Sequence, residues 1–306
     1  MELQSRIQWI LFNPTNHNFR SGWRICIFII VMSCLTAGAF FTANYFFPDS
    51  TIVISIFLDA ALICSSIFMV TVIDKRPFYS FGIAVRRRFF IEWGQGLLIA
   101  GVMMTFIVFS FLLTGTIVIT GEGFSSAEIA SHLLKGFFLF ALAGFWEELM
   151  FRGYIFQTLA EGTNRLIAIS VFSVFFGLAH LGNPHISVFS TFNIILAGIF
   201  LSLAYFRTGT LWFCTALHLG WNFFQGSVYS LPVSGMVTSD ITLSHVTLTE
   251  PKWFTGGAFG PEGGVAATVV LVLASIVIWR VPWIKNENPP AVINTSIQSA
   301  DGKINE

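Results

Sequence analysis

Charge is scarce in this sequence: Lys and Arg number 16 and Asp and Glu 16, together 10% of 306 residues, against about 25% in a soluble domain. That excludes an ordinary soluble globular chain. Formal net charge is zero and no basic block is long enough to act as a nucleic-acid footprint, so no nucleic-acid partner is expected. Cysteine is limited to Cys26, Cys34, Cys64 and Cys214, without paired spacing and all within apolar runs. They are expected to be small buried packing residues, which leaves no disulfide framework or Cys-based zinc site. The first 22 residues lack a short apolar core followed by a small-residue cleavage site, so no cleaved signal peptide is expected. No internal repeat is present, which argues against a transporter built from duplicated halves. The glycine-rich stretch Gly256 to Gly264 lacks the Gly-Lys-Ser/Thr of a phosphate loop and reads as a tight re-entry turn.

Apolar residues fill the space that charge leaves. Hydrophobic residues make up 55% of the chain, Phe alone occurs 35 times, and mean hydropathy is +0.75. Runs near the roughly 20 residues needed to cross a bilayer occur at 23–47, 51–73, 94–119, 134–160, 165–181, 187–205, 210–229 and 264–283. The expected fold is therefore all-α, a polytopic transmembrane helical bundle of about eight spans in an integral membrane protein. Spans five and six are short and joined by the turn Gly182-Asn183-Pro184-His185, which also suits a folded-back pair. Arg6, Arg20, Arg24, Lys75, Arg76, Arg86, Arg87, Arg88, Arg165 and Arg207 fall at alternate ends of the spans, while the intervening loops are poor in Lys and Arg. This bias places both termini in the cytoplasm. Trp9, Trp23, Trp93, Trp253, Trp279 and Trp283 lie near span ends as interface anchors. Ile7 to Phe12 can lie along the membrane surface. The organisation expected is a cytoplasmic segment at 1–22, N-terminal spans at 23–133, a core at 134–230, an outer loop and last span at 231–283, and a polar, disordered tail at 284–306 that includes Pro289-Pro290.

Three polar segments interrupt the apolar runs. Phe145-Trp146-Glu147-Glu148-Leu149-Met150-Phe151-Arg152 places two acids and a base in one span, at roughly 2.5–3.5 kcal/mol for each charge on insertion scales. Glu148 and Arg152 stand four apart, in the order that favours an ion pair on one helix face. Glu147 points elsewhere, because successive residues rotate by roughly 100°, and is free to face a cavity. Phe176 and His180 are again four apart, so ring and imidazole share a face; His218 and Asn222 repeat the spacing in span seven. A buried charge cluster that only joins helices would account for the first segment alone. A carboxylate, two imidazoles and a carboxamide on three spans exceed what packing needs.

Such a set suits peptide hydrolysis. A glutamate with a histidine beside it can take a proton from water as that water attacks a carbonyl. His218 and Asn222 would then stabilise the oxyanion, at roughly 3–4 kcal/mol per donor. Depth supports convergence: Glu147 lies roughly 20 Å from the outer end of span four and His218 roughly 12 Å from the inner end of span seven. His180, near the outer end of span five, conflicts with this unless that span tilts or starts deeper.

The order Glu-Glu-x-x-x-Arg, Phe-x-x-x-His and His-x-x-x-Asn, carried here by Glu147, Glu148, Arg152, Phe176, His180, His218 and Asn222, resembles the CPBP family of intramembrane proteases. That family includes the type II CAAX prenyl endopeptidases and the bacterial Abi and bacteriocin-processing proteins. The resemblance implies that Glu147 and His180 activate water and that His218 and Asn222 form the oxyanion hole, with Glu148, Arg152 and Phe176 in support. It implies a membrane-associated or prenylated-like protein or peptide substrate, and a bacterial plasma membrane as the location. No metal is expected; if zinc were used, Glu147, His180 and His218 would supply three ligands and water the fourth. Other readings of the same residues are a non-proteolytic protein for bacteriocin self-immunity or scaffolding, and a proton-coupled transporter using Glu147 and His180. Cys214, one turn before His218, offers a Cys-His nucleophile against its reading as a packing residue. Asp59 is a second intramembrane acid without an assigned partner. His17, His132, His185 and His245 are placed in tails or loops.

Overall fold

The computed structural model describes residues 10–13, 18–85, 87–121, 123–237 and 241–284. The expectations for Arg6, Trp9, His17, Arg86, part of the surface segment Ile7 to Phe12, and the tail from Lys285 onward lie outside the described residues, as does the side chain of Arg87. Among the described residues the protein is mostly helical. Its helices are α1 (Ser21–Phe46), α2 (Thr51–Phe68), α3 (Arg87–Thr114), α4 (Ser126–Arg152), α5 (Tyr154–Gly162), α6 (Arg165–Ala179), α7 (Val188–Thr208), α8 (Leu211–Phe223) and α9 (Val265–Arg280), with a single turn at Lys252–Thr255. Short π-helical segments, Met69–Ile73 and Phe224–Val228, extend α2 and α8.

All eight expected runs contain helix. Among the described residues five segments are long and apolar enough to cross a membrane alone: Ser21–Phe46, Thr51–Ile73, Arg88–Thr114, Ser126–Gly162 and Val188–Thr208. α6 and α9, with 15 and 16 residues, fall short of the roughly 20 that span a bilayer.

α8 is the central post. It packs on α3, α4 and α7, and Leu211 and every residue from Phe213 to Gly220 are buried. Small residues allow the closest approach: a Cβ on Gly96 would stand 2.6 Å from that of Ala216, and one on Gly220 would stand 2.7 Å from that of Ala100. Close packing of this kind is what joins helices where lipid supplies no hydrophobic drive. α1 lies at the opposite extreme, with only Arg24, Phe28 and Ala43 buried.

Three expectations about boundaries change. Span four starts at Ser126, because Ser125 and Glu128 form a reciprocal cap in which Ser125 N donates to Glu128 Oε2 at 2.8 Å and Glu128 N to Ser125 Oγ at 3.3 Å. His132 therefore lies in α4 and not in a loop. The same span breaks at Gly153, where φ −75° and ψ −138° leave the helical region; a Cβ there would meet the Leu149 carbonyl oxygen at 2.0 Å. Span three ends at Thr114, and Ile117–Thr120, drawn as its end, is a strand, β1, paired antiparallel with β2 (His245–Leu248). Its Ile-Val-Ile-Thr run is β-branched throughout, which suits a strand. Cys26, Cys34 and Cys64 are exposed on the outside of the bundle and only Cys214 is buried. The outside of a membrane bundle is itself apolar, so an apolar run does not imply an inward-facing thiol.

The end of the bundle opposite the β-ribbon is tied by charge. Arg24 of α1 bonds Asp74 and Glu161, the latter at 2.8 Å; Arg76 bonds Asp74 at 2.8 Å and Glu161 at 2.6 Å; and the Tyr154 hydroxyl donates to Asp74 at 3.1 Å. Two basic residues counted above for orientation are thus also partners in a network joining α1, α2 and α5.

Candidate active site

The three polar segments meet inside the bundle. Glu148 and Arg152 are fully buried and bonded at 3.0 Å. The guanidinium also donates to the Gly198 carbonyl at 2.9 Å and to Ser202 Oγ at 3.4 Å, both on α7. It lies 4.8 Å from the centre of the Phe176 ring. Phe176 in turn contacts His180 at 4.9 Å and His218 at 6.0 Å between ring centres, so this phenyl ring separates the ion pair from the imidazole of His180.

Both histidines are oriented through Nδ1. In His180 this nitrogen lies 2.7 Å from the Phe176 carbonyl oxygen; a carbonyl only accepts, so Nδ1 carries the proton and Nε2 is a lone-pair acceptor. In His218 it lies 2.8 Å from Glu148 Oε1. Both Nε2 atoms face Glu147: its Oε2 stands 3.9 Å from that of His180 and 3.8 Å from that of His218. Oε2 has no direct hydrogen-bond partner. Separations of this size suit a bridging water better than a direct bond.

The depth conflict disappears in three dimensions. α6 is 15 residues long, about 22 Å at 1.5 Å per residue, and so ends inside the bilayer, where His180 Nε2 stands 3.9 Å from Glu147 Oε2. His180 sits at the C-terminal cap of α6 and so meets Glu147 at one level.

Glu147, Phe176, His180, His218 and Asn222 line one cavity of ≈ 490 Å³. Its remaining wall is largely apolar, including Leu139, Phe140, Phe151, Ile194 and Leu201. Glu148 and Arg152 lie behind that wall. Cys214 does too: it is fully buried, outside the lining, with its thiol donated to the Leu211 carbonyl at 3.2 Å. Asp59 is buried in α2 with neither carboxylate oxygen hydrogen-bonded.

A tetrahedral zinc with ligands at about 2.0–2.1 Å would hold its donor atoms about 3.3 Å apart. The separations from Glu147 to the two imidazoles exceed this by about half an ångström, and among the described residues no three His, Cys, Asp or Glu side chains are grouped to hold a metal ion.

Sequence reasoning missed a third carboxylate. Glu262, in the glycine-rich stretch read as a turn, reaches the same cavity. Its Oε1 accepts from Trp221 Nε1 at 3.2 Å and its Oε2 from the Ser234 amide at 2.6 Å. Burial pushes its carboxyl up from the usual range. The stretch is held by Asn193, whose Nδ2 donates to the carbonyls of Glu262 at 2.8 Å and Gly264 at 2.9 Å. A lone glutamate among glycines was the visible signal, but nothing in sequence spacing brings residue 262 to residue 221.

No curated protein sequence matches the chain. Residues 129–224 match the family model described as type II CAAX prenyl endopeptidase Rce1-like, a stretch that holds all seven motif positions from Glu147 to Asn222. Over this membrane core the chain is similar to the type II CAAX prenyl endopeptidases.

Proposed function

We propose that the protein hydrolyses a peptide bond of a membrane-associated protein or peptide, without a metal, by water activated between Glu147 and His180. The observation that carries this reading is the convergence of the Glu147 carboxylate and two imidazole Nε2 atoms, 3.8–3.9 Å apart, on one apolar cavity. Glu147 Oε2 and His180 Nε2 are both acceptors, so a water between them donates one proton to each and turns its lone pair toward the substrate carbonyl. As the water oxygen bonds to the carbonyl carbon, its proton passes to Glu147 and the carbonyl π electrons move to oxygen. Asn222 Nδ2 and His218 Nε2 donate to that oxyanion. The proton on Glu147 then passes to the amide nitrogen as the C–N bond breaks, leaving a carboxylic acid and an amine.

The Glu148 contact sets a condition on His218. With Nδ1 donated to Glu148, neutral His218 has no proton on Nε2, so its oxyanion role needs the imidazolium. The substrate is an apolar or lipid-bearing segment, as the cavity wall favours. We place both termini in the cytoplasm of a bacterial plasma membrane.

The test is cleavage of a pool of membrane-associated peptides, some carrying an S-prenylated cysteine, by protein purified in detergent. Glu147→Gln and His180→Ala should each lose about 10²–10⁴-fold in kcat, and wild type should be indifferent to a strong chelator. Chelator inhibition reversed by zinc would overturn the metal-free step. Full activity in Glu147→Gln would overturn the whole assignment.

A further inference from the structure

The cavity has a roof, made by the segment that follows α8. Leu231, Val233 and Ser234 line the cavity, and the glycine-rich stretch lies directly on them: a Cβ on Gly260 would meet the Pro232 carbonyl oxygen at 2.1 Å. Both residues flanking this contact are held by side chains. Gln225 Nε2 donates to the Pro232 carbonyl, and Ser234 is gripped on two sides. Its amide donates to Glu262 Oε2 at 2.6 Å, and its carbonyl accepts from Asn183 Nδ2 at 3.1 Å. Asn183 belongs to the turn that follows His180, where its amide donates to the His180 carbonyl at 3.0 Å. The other oxygen of Glu262 accepts from Trp221, the neighbour of Asn222 on α8.

One carboxylate therefore bridges the two halves of the site. Through Trp221 it holds the helix face that presents His218 and Asn222; through Ser234 and Asn183 it holds the turn that begins at His180. We infer that Glu262 is a positioning residue for hydrolysis, fixing Asn222 relative to the His180 side of the cavity. The inference rests on the hydrolytic reading above and names a residue outside the seven motif positions.

Glutamine cannot replace it. Trp221 Nε1 and the Ser234 amide are both donors, so an amide at 262 satisfies one and turns its own NH2 toward the other. Aspartate is one methylene shorter and cannot reach both. An oxyanion donor acts chiefly in the transition state, so its misplacement lowers kcat and leaves KM nearly unchanged.

The experiment measures kcat and KM on the best-cleaved peptide of the pool for Glu262→Gln, Trp221→Phe, Asn222→Ala and the double variant Glu262→Gln/Asn222→Ala, with Glu147→Gln as reference. Glu262→Gln is expected to lose about 10–100-fold in kcat with KM within about twofold. Trp221→Phe, which keeps the ring and loses only its N–H, should show the same split to a smaller extent. The double variant should be little slower than Asn222→Ala, because both changes remove one interaction. Losses that multiply in the double variant, or a raised KM with unchanged kcat, would overturn the positioning role while Glu147→Gln still abolished cleavage. Should Glu262→Gln fail to fold, Trp221→Phe alone decides: wild-type kcat there refutes the inference. Cleavage that survives Glu147→Gln refutes the hydrolytic reading instead.

Discussion

Replacing Arg152 by methionine should destabilise the protein by about 3–5 kcal/mol, the range for removing one partner of a buried ion pair. Glu148 and Arg152 have no exposed side-chain surface and are 3.0 Å apart; at an effective dielectric near 20 that separation corresponds to about 5.5 kcal/mol of attraction. Some of this is offset, because His218 Nδ1 remains 2.8 Å from Glu148 Oε1 and the Gly198 carbonyl keeps its bond from Ser202 Oγ at 2.8 Å. Glu148→Gln should cost a similar amount by stranding the guanidinium. The double variant Glu148→Gln/Arg152→Met strands neither and should recover most of the loss, so the coupling between the two sites should be at least the size of one single loss, about 3–5 kcal/mol. Its activity should not recover, since His218 has then lost the carboxylate that favours its imidazolium. Equilibrium unfolding in mixed micelles, followed by circular dichroism, measures the first quantity and peptide cleavage the second. An Arg152→Met protein within about 1 kcal/mol of wild type, or a double variant less stable than either single one, would refute the pairing argument.

Two further outcomes are expected. Gly96→Val forces a side chain into the 2.6 Å gap before Ala216 and should lower stability by about 1–3 kcal/mol, the cost of overpacking; an unfolding midpoint equal to wild type would show that α3 and α8 are not in such contact. Asp59→Leu should be neutral or stabilising by about 1–3 kcal/mol, because it removes a buried carboxylate whose oxygens have no partner; a large loss of stability in the same unfolding measurement would mean that Asp59 is partnered in the membrane.

The spans were legible because apolar length alone identifies them, and the site because charge inside an apolar helix is conspicuous. Four-residue spacing was enough to pair Glu148 with Arg152 and Phe176 with His180, and to separate Glu147 from its neighbour. What sequence could not supply was contact between segments far apart in the chain. The Glu148–His218 bond joins α4 to α8 and has no local signature. Glu262 escaped for the same reason: an acid among glycines reads as a loop until Trp221 and Ser234 are seen against it. The break at Gly153 was hidden differently, since a glycine in an apolar run looks the same whether the helix continues or turns aside.

The β-ribbon has a consequence for the order in which the protein is made. β1 precedes α4 and β2 follows α8, so the ribbon closes around every one of the seven motif residues and pairs only after the last of them has left the ribosome. The cavity wall is later still, since Ile241, Glu262 and Leu271 all contribute to it. A nascent chain that has reached Asn222 thus holds all seven motif residues and no enclosed cavity around them. Completion of that cavity is deferred until nearly the whole polypeptide has been made.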